Sequence, residues 1–340
     1  MYLVTGGSGF LGQHLTERCL LDGHSVRILD IVPPSRFSDH VEYLNNDVRD
    51  LDAVRHACSG VDVVIHNAAL VPLSKSGDLF WEVNVRGTQN LLQAAREAGV
   101  KKFIFISSSS VFGIPKKPEA ITEQSPMAAF EKYGKSKVAA EALCQQAKRF
   151  MDISIIRPRT ILGPGRMGLM SLIFDWVATN HNVYILGRGE NIYQLVSVED
   201  IVDAIARAAS MPCKGEDFNI GTDKFETLRQ DLETFIRGVG GKSRVVSVPG
   251  WLARLTLPAL SLLRLSPFVS YQYHIADHSV FFSVEKARRI LGFEPKHSNS
   301  EMLINAFNWY IRNKDNLQQM GSIHQKKVSA GIFKLLKYIP

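Results

Sequence analysis

Tyr133 and Lys137 are the residues whose types and spacing most directly indicate chemistry. They stand four apart at the start of a predicted helix that continues through Leu143. Residues at i and i+4 lie on the same face of a helix, so the ammonium group is expected beside the phenol. A neighbouring cation favours the phenolate and lowers the tyrosine pKa towards the working pH. The pair therefore predicts a proton-transfer site.

Four consecutive hydroxyls, Ser107 to Ser110, follow an apolar run, Phe103 to Ile106, that predicts a strand. The carboxyl edge of a parallel sheet is where open α/β folds bind ligands. A serine-rich loop without function is an equally good interpretation of this run by itself. The tyrosine and lysine pair favours the functional interpretation, because a serine hydroxyl directed at the same substrate oxygen would complete the site.

A glycine-rich turn opens the chain and must position a ligand for these groups. The apolar run Tyr2 to Val4 predicts a strand, and a helical pattern runs from Gln13 to Leu21. Between them, Gly6 permits a tight turn, Gly9 lets the backbone approach a ligand, and Gly12 lets helix and strand pack closely. The helix N-terminus offers free N–H groups to a diphosphate. The turn predicts dinucleotide binding, although such turns also simply reverse a chain.

Asp30 ends a second predicted strand, Ser25 to Ile31, about eighteen residues after Gly12. At that distance an acid accepts hydrogen bonds from an adenosine ribose, which favours NAD over NADP. Arg36 keeps NADP open, since an arginine there could contact a 2′-phosphate. The alternative for Asp30 is a turn-forming acid at a strand end.

Two further predicted strands end in candidate ligand contacts. Val41 to Leu44 precedes Asp47 and Val48, which are candidates to border the adenine. Val61 to His66 is almost continuously apolar, as expected for a strand covered on both faces. The small residues Ala68 and Ala69 follow it and leave room for a ligand. His66 itself is interpreted as a hydrogen-bonded histidine at a strand end and not as a catalyst.

Composition excludes some classes of protein. The 340 residues are 45% hydrophobic and 21% charged, which is typical of a globular protein of one large or two modest domains. Of the formal charge of +7, residues 311–340 supply +5, so the body is nearly neutral and nucleic acid is not an expected partner. The four scattered cysteines show no metal-ligand spacing. We expect free thiols, no metal, no secretory leader and a cytoplasmic enzyme.

The motifs, taken in order, resemble those of the extended short-chain dehydrogenase/reductase family, the NAD-dependent epimerases and dehydratases. The resemblance spans roughly Met1 to Tyr310. It implies a Rossmann-type doubly wound parallel sheet with a smaller, discontinuous C-terminal substrate domain. The motifs that carry it are the glycine turn, Asn67-Ala68-Ala69, Asn84, Ser107-Ser108 with Val111-Phe112-Gly113, Tyr133-x-x-x-Lys137, Arg157-Pro158 and Gly163-Pro164-Gly165.

The resemblance also implies roles. Tyr133 is the expected general acid/base, Lys137 binds the nicotinamide ribose and tunes Tyr133, and Ser108 holds the reacting oxygen. Hydride then passes between a substrate carbon and NAD. The expected cofactor contacts are Gly6, Gly9, Phe10, Leu11, Gly12, Asp30, Asp47, Val48, Ala68, Ala69, Asn84, Ser107, Tyr133, Lys137, Arg157 and Pro158. The expected substrate contacts are Ser109, Ser110, Thr160, Arg166, Arg188 and Gln194.

The branch of the family follows from what the chain lacks. Sugar 4,6-dehydratases of the family place acidic residues after the site serine, where this chain has Ser109 and Ser110. Nucleotide-sugar enzymes often carry a cation near Gln194 and an Arg-Pro-Gly-Asp run, and neither is present. We expect an NAD-dependent sugar epimerase acting on a nucleotide-linked or lipid-linked sugar. The alternatives are a 3β-hydroxysteroid-type dehydrogenase or ketoreductase and, disfavoured by the intact catalytic residues, a cofactor-sensing scaffold.

Domain boundaries are expected at 1–160, with returning segments near 190–212, for the NAD-binding domain, at 161–189 and 213–313 for the substrate domain, and at 314–340 for a basic tail. The apolar stretch 251–268 contains Pro258 and two arginines, which argues against a transmembrane helix. A core helix, an apolar substrate channel and a membrane contact stay open. The segment 323–340 can form a basic amphipathic helix that binds anionic lipid, or it can dock on protein. We expect a homodimer.

Overall fold

The computed structural model describes residues 1–37, 39–72, 76–166, 168, 170–212, 215–250 and 275–315. Its strands are β1 Tyr2–Thr5, β2 Val26–Asp30, β3 Glu42–Asn45, β4 Val63–His66, β5 Lys102–Ile106, β6 Asp152–Pro158, β7 Thr160–Leu162, β8 Val183–Leu186, β9 Leu195–Ser197, β10 Asp217–Ile220 and β11 Val245–Val248. Its α-helices are α1 Phe10–Leu21, α2 Leu51–Cys58, α3 Gly87–Glu97, α4 Lys132–Ala147, α5 Met170–Ala178, α6 Val198–Ser210, α7 Leu228–Gly238, α8 Glu285–Leu291 and α9 Asn299–Asn313.

Seven strands form one parallel sheet in the order β10-β6-β5-β4-β1-β2-β3. The chain runs outward from β1 through β2 to β3 and then returns to β4 on the other side of β1. The strand order therefore reverses between β1 and β4, which pair in the register Thr5 to His66. Ligands of open α/β sheets bind at such a reversal, beyond the carboxyl ends of the strands. The doubly wound fold predicted from the sequence is confirmed.

Helices cover both faces of this sheet, because successive strand residues point to opposite faces. Val4 and Ile28 belong to the buried cluster shared with α1, α6 and α8. Leu3 and Leu29 belong to the cluster on the other face, shared with α2, α3 and α4. Burial on both faces explains why these strands are continuously apolar.

A smaller part of the molecule has its own core. Helices α5, α7 and α9 pack through Phe174, Phe235 and Phe307, whose rings lie 5.5 to 5.9 Å apart. Two short parallel pairs, β7 with β9 and β8 with β11, accompany them. Strand β10 joins the large sheet, and Phe293 belongs to a hydrophobic core of that sheet. Both lie in the range 213–313, which the sequence predicts to be part of the substrate domain.

Residues Trp81–Arg86 form a π-helix that leads into α3. The segments 251–268 and 323–340 lie outside the described residues, as does Cys213. Within the described parts of the chain, no helix is long and apolar enough to cross a membrane. Cys19, Cys58 and Cys144 are free thiols buried in the core, as predicted.

Candidate active site

The glycine turn between β1 and α1 is built for close backbone approach. Gly6 has a φ of +67°, which favours glycine. A Cβ on Gly12 would lie 2.1 Å from the Gly6 carbonyl oxygen, so only hydrogen fits there. Gly9 is the N-cap of α1, and no side chain caps this helix. The first N–H groups of α1, beginning with Phe10 and Leu11, are therefore offered to an anion such as a diphosphate.

Asp30 lies directly beside this turn. Its carboxylate accepts hydrogen bonds from the backbone N–H of Ser8 at 3.0 Å and of Val32 at 3.1 Å, which fixes it at the carboxyl end of β2. Arg36 forms an ion pair with Glu17 at 3.1 Å, so its charge is already matched. The anchored Asp30 carboxylate can accept hydrogen bonds from the ribose hydroxyls of NAD. Because Arg36 is already paired with Glu17, the site fits NAD better than the 2′-phosphate of NADP.

The loop after β4 is tied to the glycine turn. The Asn67 side chain donates to the Gly6 carbonyl at 3.1 Å, and the Ala68 N–H donates to the Thr5 hydroxyl at 3.1 Å. His66 is buried between the hydroxyls of Thr5 and Thr88, at 2.8 and 3.0 Å. Burial lowers the pKa of His66 to about 3. The interpretation of this histidine as a hydrogen-bonded strand end is confirmed.

The adenine side of the predicted cofactor site is less specific. Asp47 is half-buried and pairs with Arg49 at 2.7 Å, which lowers the pKa of this carboxyl. Val48 is buried, and a Cβ on Gly87 would lie 2.6 Å from its side chain. Ala69 is half-buried in the loop after β4. Contacts from these residues to a cofactor stay predictions.

Asn84 positions other elements, and both polar atoms of its side chain are hydrogen-bonded within the protein. It is 1% exposed within the π-helix. Its amide exchanges two hydrogen bonds with the backbone of Leu70, at 2.8 and 3.1 Å, and donates to the Ser136 hydroxyl at 3.0 Å. A contact of Asn84 with a cofactor stays a prediction. Asn84 fastens the loop after β4 to helix α4, which carries the catalytic candidates.

Tyr133 and Ser108 are brought together as predicted. Glu131 caps α4 by accepting hydrogen bonds from the N–H groups of Tyr133 and Gly134. The Tyr133 side chain is 7% exposed and lies close enough to the Ser108 side chain for the serine to lower the pKa of the phenol. Ser108 also accepts hydrogen bonds from the N–H and hydroxyl of Ser110, at 3.2 and 3.0 Å. Helix α4 and the loop after β5 therefore converge on one phenol.

Burial raises the pKa of Tyr133 to about 12, and two neighbours oppose this shift: the Ser108 side chain and the charge of Arg166. Lys137 was predicted to tune the phenol. Its ammonium donates to the Ile106 carbonyl at 2.8 Å, and burial lowers its pKa to about 8, so its effect on the phenol stays a prediction. The cation that lowers the pKa of Tyr133 in this structure is Arg166. This contribution was missed from the sequence, because Arg166 lies far from Tyr133 along the chain.

Ser107 and Arg157 point into the protein, and their predicted cofactor contacts stay predictions. The Arg157 guanidinium binds the Glu141 carboxylate at 2.6 and 2.9 Å, with both side chains 2% exposed, and lies 3.4 Å from Asp217. The Ser107 hydroxyl donates to the same Glu141 carboxylate. A cofactor contact from Arg157 or Pro158 would have to use the backbone at the end of β6. Glu141 was missed, although it continues the spacing of Tyr133 and Lys137 by four residues.

The predicted substrate residues divide into two groups. Ser109 accepts a hydrogen bond from Arg159 at 3.0 Å, and the Thr160 hydroxyl is 2.9 Å from that of Tyr193. These side chains follow β5 and β6, as Ser110 does, and lie on the side of the sheet edge that holds Tyr133. Arg159 and Tyr193 were missed, since neither belongs to a motif.

Arg188 and Gln194 are placed differently. Arg188 is exposed at the end of β8, and its carbonyl accepts a hydrogen bond from Arg229 at 2.9 Å. Gln194 is fully buried, donates to the carbonyls of Thr222 and Phe282 at 2.7 and 3.2 Å, and accepts from the Phe282 N–H at 2.7 Å. Its polar atoms are hydrogen-bonded within the protein, and the predicted substrate contact of Gln194 stays a prediction.

A sequence model described as the NAD dependent epimerase/dehydratase family matches residues 2–221 of the chain. That range contains the glycine turn, Asp30, Ser108, Tyr133 and Lys137. The chain belongs to the NAD dependent epimerase/dehydratase family.

Relatives of this epimerase/dehydratase family member carry out more than one reaction. It is 32% identical over 295 residues to a UDP-glucose 4-epimerase of Mycolicibacterium smegmatis, covering 81% of this chain and 94% of that protein. It is 30% identical over 312 residues to the mouse sterol-4-alpha-carboxylate 3-dehydrogenase, decarboxylating, covering 86% of each. A solved structure of MoeE5 with UDP-glucuronic acid and NAD superposes with a TM-score of 0.74 at 24% identity, over 92% of this chain and 99% of that one.

The residues of this family member fit its cofactor. The uncapped N-terminus of α1, the absence of a side chain at Gly12 and the anchored carboxylate of Asp30 match the diphosphate and ribose of NAD. NAD is therefore the cofactor, as the sequence predicted, and the chain is an NAD-dependent enzyme of the extended short-chain dehydrogenase/reductase type.

Proposed function

We propose that the protein is a sugar epimerase that transiently oxidises a secondary alcohol to a ketone. The observation that carries this proposal is the proximity of Tyr133 and Ser108 at the carboxyl edge of the sheet, where the glycine turn also lies. A hydroxyl bound there would have a proton acceptor and a hydrogen-bond donor on the same oxygen. The absence of acids at Ser109 and Ser110 leaves no group in those positions to expel water.

The proton path follows from the chain's own residues. Tyr133, as the phenolate, removes the proton of the substrate hydroxyl while Ser108 holds the oxygen. Bound NAD supplies the hydride acceptor, and later the hydride donor, at the substrate carbon. After the ketone has rotated in the pocket and presents its other face to the cofactor, the Tyr133 phenol returns its proton to the oxygen. The substrate is left with one inverted carbon, and no net oxidation occurs.

Tyr133 needs nearby cations to reach the phenolate. In the protein alone its pKa is raised to about 12 by burial. Arg166 lowers it, and Lys137 lies one helical turn further along the same face of α4. Proton removal by Tyr133 should therefore improve as the pH rises. Return of the proton depends on the same cation, because a phenol whose pKa is raised by burial is a weak acid and stabilisation of the phenolate makes it a better proton donor.

A dehydrogenase is the second candidate. The mouse sterol-4-alpha-carboxylate 3-dehydrogenase resembles the chain about as closely as the mycobacterial epimerase does, at 30% against 32% identity. The same serine and tyrosine would serve such an enzyme. The difference lies in the second half of the cycle, since the ketone would leave and reduced cofactor would accumulate.

One experiment separates these candidates. The purified protein is given matched panels of sugar nucleotides, polyprenyl-linked sugars and sterols with NAD. Interconversion of sugar epimers without net rise in reduced-nicotinamide absorbance identifies the epimerase, whereas a rise equal to product formed identifies the dehydrogenase. If no panel member turns over, or a sugar is dehydrated, the proposal is wrong.

Tyr133→Phe tests the assigned acid/base. We expect the loss of at least ~100-fold in kcat with NAD affinity unchanged, in line with the usual contribution of a general acid/base. Tyr2→Phe is the matched control, because Tyr2 lies at the amino end of β1, opposite the site, where it stacks on His24 at 4.1 Å. Activity of Tyr133→Phe close to that of the control would reject the assignment.

A further inference from the structure

Arg166 is a half-buried arginine at the site whose guanidinium has no oxygen partner among the described residues. The other cations near the site do have oxygen partners. Arg157 pairs with Glu141, Arg159 donates to Ser109, and Lys137 donates to Ile106. The positions that the structure does not describe contain no Asp or Glu, so the sequence offers no other side-chain carboxylate to match this charge.

Partial burial of an unmatched cation is unfavourable for the protein alone. Transfer of a charge from water into protein is unfavourable unless the charge is paired. The effect is visible in the pKa of Arg166, which burial lowers to about 10. The side chain still carries its charge at neutral pH, because this pKa lies well above 7. A guanidinium presents a planar set of N–H donors that matches a carboxylate with two parallel hydrogen bonds.

The backbone holds Arg166 at the boundary between the cofactor turn and the proton-transfer pair. Its N–H donates to the Gly163 carbonyl at 3.1 Å, and its guanidinium lies over the Phe10 ring, 5.4 Å from the centroid. Phe10 is the first residue of α1. On the other side, Arg166 and Tyr133 lie close enough for each to shift the pKa of the other.

The anion that Arg166 receives could come from the substrate or from the diphosphate at the start of α1. The electrostatic neighbours favour the substrate. They are the phenols of Tyr133 and Tyr193, and Tyr193 is hydrogen-bonded to Thr160 on the substrate side. Phe10 contributes its ring to the contact with Arg166, while its N–H belongs to the helix N-terminus.

We propose that Arg166 forms a subsite for a carboxylate of the substrate, located close to the hydroxyl that Tyr133 and Ser108 hold. This inference rests on the proposed function, because it assumes that the substrate hydroxyl is placed at Tyr133. It names the class of substrate: an alcohol that carries an acidic group near the reacting carbon, such as a uronic acid or a hydroxy acid of a larger ring system. The substrate carboxylate forms an ion pair with the Arg166 guanidinium and neutralises its charge, and this contact orients the substrate ring.

Binding measurements without turnover test this subsite. The probes are two matched pairs that differ in one acidic group: UDP-glucuronic acid with UDP-glucose, and a 4-carboxysterol with its 4-methyl counterpart. Their affinities for the NAD-loaded protein are compared for the wild type, Arg166→Gln, Arg166→Lys and Arg237→Gln. Arg237 is the control because it is an exposed arginine on α7 whose guanidinium contacts Thr234.

We expect the wild type to bind at least one acid tenfold or more tightly than its neutral partner, equal to about 1.4 kcal/mol. Arg166→Gln should abolish this preference, Arg166→Lys should keep part of it, and Arg237→Gln should leave it unchanged. If Arg166→Gln does not fold, the partial loss of preference in Arg166→Lys tests the inference in its place.

Three results would overturn the inference. Neither acid binds better than its neutral partner, or the preference survives Arg166→Gln, or Arg166→Gln weakens NAD binding tenfold, which would assign the arginine to the cofactor diphosphate. Failure of the proposed function has a different signature. Suppose that the wild type prefers the acid, that Arg166→Gln loses this preference, and that Tyr133→Phe keeps full activity. The carboxylate subsite would then be retained, and the assignment of Tyr133 as the acid/base would be rejected.

Discussion

Replacement of Glu141 by glutamine tests how α4 is fixed. The Glu141 carboxylate accepts three contacts from the Arg157 guanidinium, at 2.6 to 3.1 Å, and one from Ser107. The Glu141 and Arg157 side chains are each 2% exposed, so water cannot solvate the Arg157 guanidinium after it loses the Glu141 carboxylate. Removal of one partner of a buried ion pair costs ~3 to 5 kcal/mol. Because Asp217 remains 3.4 Å from Arg157, we expect the lower end, about 3 kcal/mol.

Urea unfolding followed by tryptophan fluorescence measures this loss. The double variant Glu141→Gln/Arg157→Met removes both charges and should recover at least half of it, since an apolar replacement of a buried pair is often neutral. Glu97→Gln is the control, because Glu97 forms an exposed ion pair with Arg55, and such pairs contribute at most ~1 kcal/mol.

The reasoning would be refuted if Glu141→Gln cost no more than Glu97→Gln. It would also be refuted if the double variant were less stable than the single one, because the loss would then come from packing and not from an unmatched charge.

Two further predictions concern the cofactor turn and acid stability. Gly12→Ala places a methyl group 2.1 Å from the Gly6 carbonyl oxygen, so NAD binding measured by calorimetry should fall by tenfold or more; unchanged affinity would contradict the packing argument. His66 has its pKa lowered from 6.5 to about 3, so the unfolded chain binds more protons between these values and stability falls as the pH drops through this window. Thermal unfolding at pH 7 and pH 4 should show this loss in the wild type and a smaller one in His66→Gln; equal losses would assign it to other groups.

Local sequence determined the elements that carry the cofactor site. The glycine turn, the strand ending at Asp30 and the helix carrying Tyr133 and Lys137 are short-range features, because residue type and spacing fix the turn conformation and the helix face. The alternation of apolar runs likewise determined the doubly wound class. The π-helix at Trp81–Arg86 has no local signal in the sequence, and within it Asn84 contacts the distant residues Leu70 and Ser136.

Contacts between distant parts of the chain decided which polar side chains remain available to ligands. Arg157, Asn84 and Gln194 carry groups suited to a cofactor or a sugar, and the sequence gives no means of seeing that buried partners already occupy them. The converse holds for Arg166, whose proximity to Tyr133 and lack of a carboxylate partner arise only when the loop after β7 meets α4. The motifs thus determined the cofactor and predicted the acid/base pair, whereas tertiary packing decided which charges of the described residues are matched within the protein and left Arg166 for the proposed substrate carboxylate.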